Sequence, residues 1–252
     1  LALIFMGGVN YYTGQVFDIE TITQQGHSHN IIVGFDLAHA TGNIQLKLHE
    51  WQVDFAAWCS YKYLNAGPGN VSTVFIHEKQ IQKQPFRLSG WWGHKLKNRF
   101  VLQDTFQPTN TAEGWQLSNA PVLGMSVYRK SIDLFNHIGM SKLITKRIKL
   151  TTYLEDAINT YNKVSSSMKM KIITPGDSKK RGSQLSILIN QNGHHLYNTL
   201  RENGVFLDWR EPNVMRMAPV PLYNSFEDIA RFYHILHKCI YQIKILVLSE
   251  EV

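Results

Sequence analysis

The chain has 252 residues and a formal net charge of +7, and its basic residues are dispersed along it, which argues against a nucleic-acid partner. This length suffices for a sizeable core in one or two domains, and a mild positive field suits a phosphate cofactor and a substrate with a carboxylate. Only two cysteines occur, Cys59 and Cys239, so we expect no disulfide framework and a reducing, cytoplasmic setting.

The first third of the chain alternates predicted strands with helical or loop segments. Residues 2–6, 31–36, 53–58 and 71–77 are apolar runs typical of buried strands. Residues 19–27 have the pattern of a helix that ends near a glycine. The apolar opening is short and lacks a basic leader, so we interpret it as a strand that enters a Gly-rich turn and not as a secretory signal.

Residues 78–118 carry no convincing periodic pattern and are rich in Trp, Phe, Gln, Asn and Pro. A loop region of this length in a compact protein is usually functional. Ser118 and Asn119, followed by Pro121, mark a helix start. The apolar spacing beyond them predicts long helices that are interrupted near Gly139.

From about residue 167 the pattern changes to that of a small α/β unit. We predict strands and one helix in it, the strands over 169–174, 184–189, 205–209 and 214–218 and the helix over 194–203. Ser225 and Asp228 form a capping-box-like start to a last helix. The longest apolar stretch, near residues 240–248, is shorter than the roughly 18 residues that span a bilayer, so no membrane association is expected.

An acid at a predicted strand end and a lysine in an apolar, Gly-rich turn form the most informative pattern in the chain. Asp36 ends the second predicted strand, and Lys62 follows the third with aromatic and small neighbours. A Schiff base needs a neutral amine, which apolar surroundings favour over the ammonium, and an acid keeps the pyridine nitrogen of pyridoxal phosphate protonated. The ordered pair indicates pyridoxal phosphate chemistry. From the residues alone, a helix N-cap remains open for Asp36, and a structural or surface role remains open for Lys62.

Five stretches resemble kynureninase, and they occur in the same order. These are Gly34–Ala40, Trp58–Gly67, Gly90–His94, Ser118–Asn119 and Arg216–Asn224. The resemblance runs from the first residues to about residue 240, and the second stretch is highly specific. It implies an α/β fold of pyridoxal phosphate (PLP) fold-type I: the late half of the large domain, which has a mixed or parallel sheet, and a small α/β C-terminal domain.

The resemblance also implies a three-part division of the chain. Residues 1–118 correspond to the C-terminal half of the PLP-binding large domain, residues 119–165 to connecting long helices and residues 166–252 to the small domain. Kynureninases have a long N-terminal portion that carries the phosphate loop and the residue stacked on the ring. We therefore expect an incomplete chain that builds part of the active site and shows weak or no activity by itself.

The resemblance gives four neighbouring residues roles at the cofactor. Lys62 would form the Schiff base and move protons at the substrate α-carbon, and Asp36 would contact the pyridinium nitrogen. His39 would orient Asp36 or the ring, with an unrelated core histidine as the alternative. Tyr61 would contact the phosphate and deliver a proton, which a phenol can do.

Five further residues match positions that contact phosphate or substrate. Trp91 and Asn119 match donors to the phosphate, typically from the opposite subunit of a homodimer with shared active sites. Arg216 matches the arginine that binds the substrate α-carboxylate, and a charge within an apolar strand is costly unless it is paired, which already favours a ligand. Ser118 and His94 match residues that line the substrate pocket.

Two positions remain outside these assignments. Gly7 stands where many kynureninases have a small hydroxyl residue, and a glycine offers only backbone donors, so we do not count it as a cofactor contact. Arg210 is a weaker candidate for the carboxylate clamp. No metal site is expected.

The resemblance implies hydrolysis of L-kynurenine, or 3-hydroxy-L-kynurenine, to anthranilate, or 3-hydroxyanthranilate, and L-alanine. The pathway would be tryptophan catabolism that feeds NAD biosynthesis. One alternative is another fold-type I enzyme, a cysteine desulfurase or an aminotransferase, and the other is a catalytically incomplete fragment that acts only in dimerisation. A desulfurase needs a sulfur-accepting cysteine on a mobile loop, whereas Cys239 lies in an apolar helix pattern.

Overall fold

The computed structural model describes residues 1–83, 86–101, 104–165 and 168–250, without the side chains of 244–250. The chain forms two compact units: residues 1–8 and 17–137 make the first, and residues 9–16 and 138–252 make the second. Residues 166 and 167, where the small domain was predicted to begin, lie outside the described residues. The three-part division with boundaries at 118 and 165 stays a prediction.

The first unit contains a four-stranded mixed sheet. Its strands lie in the order β1 (Leu3–Gly7), β2 (Ile32–Asp36), β3 (Phe55–Cys59) and β4 (Ser72–Ile76). The first three strands pair in parallel, and β4 pairs antiparallel with β3. These four strands confirm the predictions to within two residues at each end, because each carries β-branched or aromatic residues, which favour a pleated sheet.

Helix α1 (Ile19–Ser28) connects β1 to β2, as predicted. It begins after Asp18, whose carboxylate accepts a hydrogen bond from the backbone N–H of Thr21 at 3.0 Å. On one face of the sheet Val33 and Phe35 are fully buried. On the other face of the sheet, Phe5 of β1 and Ile32 of β2 are exposed.

The region without a periodic pattern contains only short helical pieces in its described part. They are α2 (Glu78–Gln82) and two 3₁₀ turns, Leu96–Asn98 and Ala112–Trp115. Helix α3 (Val122–Ile138) follows and belongs to the first unit except for its last residue. The predicted break near Gly139 is confirmed, because this glycine has φ 85° and separates α3 from the next helix.

The second unit packs three helices with an antiparallel sheet. The helices are α4 (Met140–Val164), α5 (Gly193–Glu202) and α6 (Phe226–Glu250), and the sheet order is β5 (Lys171–Ile172), β6 (Leu185–Leu188), β8 (Val214–Met217) and β7 (Asp208–Arg210). The predicted strands and helices of this unit are found, although β5 and β7 are shorter than expected. Ser225 and Asp228 exchange the two hydrogen bonds of a capping box at the start of α6, as predicted.

The small sheet has one apolar and one polar face. Leu185, Ile187 and Met215 are fully buried in the core that the helices share with it. Because successive side chains alternate, Ser186 and Arg216 face the other way. Within the described ranges, no helix combines the length and the apolarity that crossing a bilayer requires.

Candidate active site

Asp36 and the segment that carries Lys62 leave the first sheet at the same edge. Strands β2 and β3 are parallel, and Asp36, the last residue of β2, pairs in register with Ala57 of β3. Lys62 follows three residues after β3 ends. Gly7, the last residue of β1, lies beside Asp36 in the register of these strands. Ligands of α/β proteins bind beyond the carboxyl ends of such strands, so a ligand site is expected at this edge.

The carboxylate of Asp36 is exposed and accepts a hydrogen bond from the backbone two residues further along the chain. Its Oδ1 accepts a hydrogen bond from the backbone N–H of Ala38 at 2.8 Å. The residues that follow, 38–43, form turns and not a helix, so Asp36 caps no helix here. An exposed acid at a strand end can accept a hydrogen bond from a protonated ring nitrogen.

His39 joins the Asp36 turn to the lysine. Its Nε2 lies 3.2 Å from Nζ of Lys62, and both side chains are partly buried. The imidazole also meets the ring of Tyr63 edge to face, with centroids 6.4 Å apart. The turn after β2 and the turn after β3 therefore carry side chains that contact each other.

The lysine turn is held by hydrogen bonds on both sides of Lys62. Ser60 Oγ donates to the carbonyl of Val71 at 2.6 Å. Asn70 Nδ2 donates to the carbonyls of Ala66 and Gly124, at 2.7 and 2.8 Å, and so ties the turn to the start of α3. Such bonds limit where the amine can move, and preorganised groups are what a covalent cofactor needs.

The two tyrosines that flank the lysine have different surroundings. Tyr63 is buried in the core of the first unit, whereas 47% of Tyr61 is exposed. Tyr61 is therefore not part of the hydrophobic core. Its phenol is accessible for a hydrogen bond to an anion.

Trp91 lies on a loop that approaches the Ser118 segment closely. Its indole is 65% exposed and meets Phe100 edge to face, with centroids 5.8 Å apart. A Cβ on Gly90 would lie 2.3 Å from the carbonyl oxygen of Leu117, so only glycine fits between these backbones. In the sequence, Gly90 stood out only as the first residue of the kynureninase-like stretch Gly90–His94, and this steric role was not predicted. The close approach places Trp91 and Ser118 each one residue from the same backbone contact.

Ser118, Asn119 and His94 are available for contacts with a ligand. Ser118 and Asn119 are exposed, and Ser118 Oγ donates to Asn119 Oδ1 at 3.1 Å. The imidazole of His94 packs edge to face on Phe106, with centroids 4.9 Å apart. In the described part of the chain, the buried Nδ1 of His94 has no hydrogen-bond partner.

Arg216 differs from the expectation in one respect. A charge in an apolar strand is expected to favour a ligand, but Asp208 of the neighbouring strand already forms a salt bridge with Arg216. Pairing alone therefore does not require a ligand. Only 10% of the Arg216 side chain is exposed, whereas Arg210, which contacts the same carboxylate at 3.1 Å, is 44% exposed.

Among the described residues, neither cysteine lies in surroundings that suit a sulfur-accepting site. Cys239 is fully buried on α6, and burial raises the pKa of its thiol. A buried helical thiol of this kind is unsuited to accept sulfur. Cys59 is partly buried as the last residue of β3. The described residues contain no group of three His, Cys, Asp or Glu side chains that could hold a metal ion.

Comparison of the sequence with known proteins gives one family. The model of the kynureninase C-terminal domain family matches residues 143–236. The kynureninases of Flavobacterium psychrophilum and Christiangramia forsetii are each 52% identical over 94% of this chain, and that of Koribacter versatilis is 48% identical over 92%. The chain spans about half the length of these relatives, 56% of the first two and 54% of the third.

Comparison with solved structures concerns the fold. A cysteine desulfurase from Thermococcus onnurineus NA1 has a TM-score of 0.79 at 16% identity, and the match covers 95% of this chain and 60% of that chain. An alanine–glyoxylate aminotransferase from Nostoc sp. has a TM-score of 0.74 at 17% identity, and covers 95% of this chain and 62% of that chain. These similarities confirm the predicted α/β fold of PLP fold-type I.

Proposed function

The chain belongs to the kynureninase family over the 94% of its length that aligns, and we propose that it provides the lysine-bearing part of a PLP-dependent hydrolase that cleaves a C–C bond. The proposed substrates are L-kynurenine and 3-hydroxy-L-kynurenine. The proposed products are anthranilate or 3-hydroxyanthranilate, together with L-alanine. The observation that carries this proposal is the contact between Lys62 and His39 at the sheet edge where Asp36 ends β2.

The side chains at this edge fit PLP in their chemistry. Lys62 offers an amine for the cofactor aldehyde, and Asp36 offers an exposed carboxylate for the pyridine nitrogen. His39 lies beside the amine. When bound, PLP would supply the electron sink for cleavage of the bond between Cβ and Cγ of the substrate.

Lys62 and Tyr61 are proposed as the catalytic residues. Lys62 would hold the cofactor as a Schiff base and, once displaced by the substrate amine, would move a proton at the substrate α-carbon. The Nε2 atom of His39 can fix the position of this amine because the two nitrogens are within hydrogen-bond distance. Tyr61 would donate a hydrogen bond to the phosphate and deliver a proton during cleavage, for which its exposure is suitable.

Trp91 and Asn119 are proposed to bind the phosphate from the opposite subunit of a homodimer. Their indole and amide N–H groups are donors, and both side chains are exposed in the single chain. Ser118 and His94 would line the pocket of the kynurenine ring, and Arg216 would bind the α-carboxylate. The proposed setting is cytoplasmic, in tryptophan catabolism and NAD biosynthesis.

The experiment that tests this function is titration of the chain with PLP, followed by addition of L-kynurenine. We expect a visible absorption band of protein-bound cofactor that is lost in Lys62→Ala, and weak or no anthranilate fluorescence from this chain by itself. Lys146→Ala is the matched control, because Lys146 is also a partly buried lysine held by one hydrogen bond, to the carbonyl of Pro221 at 2.7 Å. A band that persists in Lys62→Ala contradicts the proposal.

A further inference from the structure

Arg216 lies in a row of polar residues that crosses the small sheet. It is opposite Asp208 on one side and opposite Ser186 on the other, in the registers of β7 and β6. Its neighbours in the strand, Met215 and Met217, are buried in the core. The guanidinium therefore emerges on the polar face, where Asp208 is the adjacent carboxylate.

Two groups occupy part of the Arg216 guanidinium. Oδ2 of Asp208 accepts a hydrogen bond from Nε and forms an ion pair with Nη2, and the carbonyl of Tyr11 accepts a hydrogen bond from Nη1 at 2.6 Å. A guanidinium carries five N–H donors. Within the described part of the chain, these contacts leave one N–H on each terminal nitrogen as a donor for a carboxylate ligand, and hydrogen bonds between ionised partners are the stronger kind.

The Tyr11 carbonyl, the second group that contacts Arg216, is itself held by a hydrogen bond. Gln184 Nε2 donates to the carbonyl of Tyr11 at 3.0 Å, and Ser186 Oγ donates to the carbonyl of Tyr12 at 2.6 Å. The segment that contacts Arg216 is thus bound to the same face of the small sheet. Since its carbonyl holds only Nη1, the orientation of the guanidinium plane depends on Asp208.

The charges around Arg216 favour an anion even with Asp208 present. Asp208 is the carboxylate partner of two guanidinium groups, because Arg210 also contacts its Oδ2 at 3.1 Å. Two positive charges against one negative charge leave a net positive site. The 10% exposure of the Arg216 side chain limits the screening of that charge by water.

We propose that Asp208 is a positioning residue that orients Arg216, so that the terminal N–H groups of the guanidinium bind the α-carboxylate of an amino-acid ligand. This inference rests on the proposed function, in which Arg216 is the carboxylate clamp. Asp208 contacts the guanidinium and not the ligand.

The test compares two ligands that differ only in the carboxylate. L-alanine and L-alaninamide are titrated by calorimetry into the full chain saturated with PLP, in the unsubstituted protein and in Asp208→Asn. We expect Asp208→Asn to weaken L-alanine binding about tenfold, because a neutral acceptor replaces a charge-assisted one, and to change L-alaninamide binding by less than about twofold. Asp208→Glu, which keeps the charge, should recover most of the lost affinity.

Asp133→Asn is the matched control. Asp133 also pairs with an arginine, Arg129 at 3.2 Å, and its exposure, 44%, is close to the 46% of Asp208. We expect it to leave both affinities unchanged. Thermal unfolding of each variant shows whether the fold is retained.

The results separate this inference from the proposed function. A preference for L-alanine over L-alaninamide that survives Asp208→Asn but is lost in Arg216→Gln overturns the role of Asp208 alone. Equal weakening of both ligands in Asp208→Asn also overturns it, because that pattern indicates a general structural effect. No preference in the unsubstituted protein overturns the proposed role of Arg216, and the inference with it.

Discussion

Nε2 of His39 and Nζ of Lys62 lie 3.2 Å apart, which links the turns that follow two adjacent parallel strands. The contact places the amine on the side of the sheet edge where Asp36 ends its strand. An amine and an acid that leave neighbouring strands at one edge can act on opposite ends of a single small ring. The proposed cofactor site depends on this relationship.

Replacing His39 by Asn should slow attachment of PLP to Lys62. The side chain of Asn is too short to maintain the present contact with Nζ, so the amine would lose its orienting partner. We expect a decrease of about tenfold in the rate, the size of one lost hydrogen bond to a charged or strongly polar group. Stopped-flow absorbance after mixing with PLP measures it. His195→Asn, on the exposed side of α5, is the control and should leave the rate unchanged.

Gly90→Ala should disturb the loop that carries Trp91. An added Cβ would meet the carbonyl oxygen of Leu117 at 2.3 Å, so one of the two backbone segments must move. We expect the free energy of unfolding to fall by about 1–3 kcal/mol, as is typical of overpacking. Urea denaturation measures the change. Gly176→Ala, where the nearest atom is at 3.9 Å, should be close to neutral, and an equal loss in both variants would contradict the steric explanation.

Asp54 is expected to stabilise the end of the first sheet that lies opposite Asp36. Its buried carboxylate accepts hydrogen bonds from the backbone N–H of Val33 at 2.7 Å and pairs with His27 Nε2 at 2.9 Å. Asp54→Ala would leave the buried backbone N–H of Val33 without an acceptor and remove the partner of the half-exposed His27, and it should cost about 2 kcal/mol of unfolding free energy. Chemical denaturation against the exposed control Asp133→Ala tests this. A loss below that of the control would show that the buried contacts contribute little.

The N-cap of α1 should give a pH-dependent contribution. The backbone N–H of Thr21 and then its hydroxyl lower the pKa of Asp18 in the folded protein. A lowered folded pKa means that the stabilisation is present above the ordinary carboxyl pKa and is lost as the pH falls through the folded pKa. Asp18→Ala should therefore cost about 1 kcal/mol at pH 7, and the difference should shrink in acid.

Asp18→Asn is the control for this prediction. Asn caps a helix nearly as well as Asp but does not titrate in this range. Unfolding free energies of the three proteins at neutral and acidic pH should show the Asp18→Asn variant close to the unsubstituted protein at neutrality. A difference between the unsubstituted protein and Asp18→Ala that does not change with pH would contradict the ionic part of the cap.

Much of the lysine site could be predicted because it is local. Apolar runs located β2 and β3, and the parallel order of these strands brings Asp36 and the segment that carries Lys62 to one edge. The partners of Arg216 could not be predicted in this way. Asp208 contacts it through the register of β7 and β8, and the Tyr11 carbonyl is 205 positions away in sequence. Register and long-range contacts depend on packing, which a single sequence pattern does not specify.

Reduction of the PLP-treated chain with borohydride, followed by peptide mass spectrometry, shows directly which lysine binds the cofactor. We expect the phosphopyridoxyl group on Lys62 and a lower yield of it in Asp36→Ala. Labelling spread over exposed lysines such as Lys47 and Lys130, with Lys62 unmodified, would contradict it.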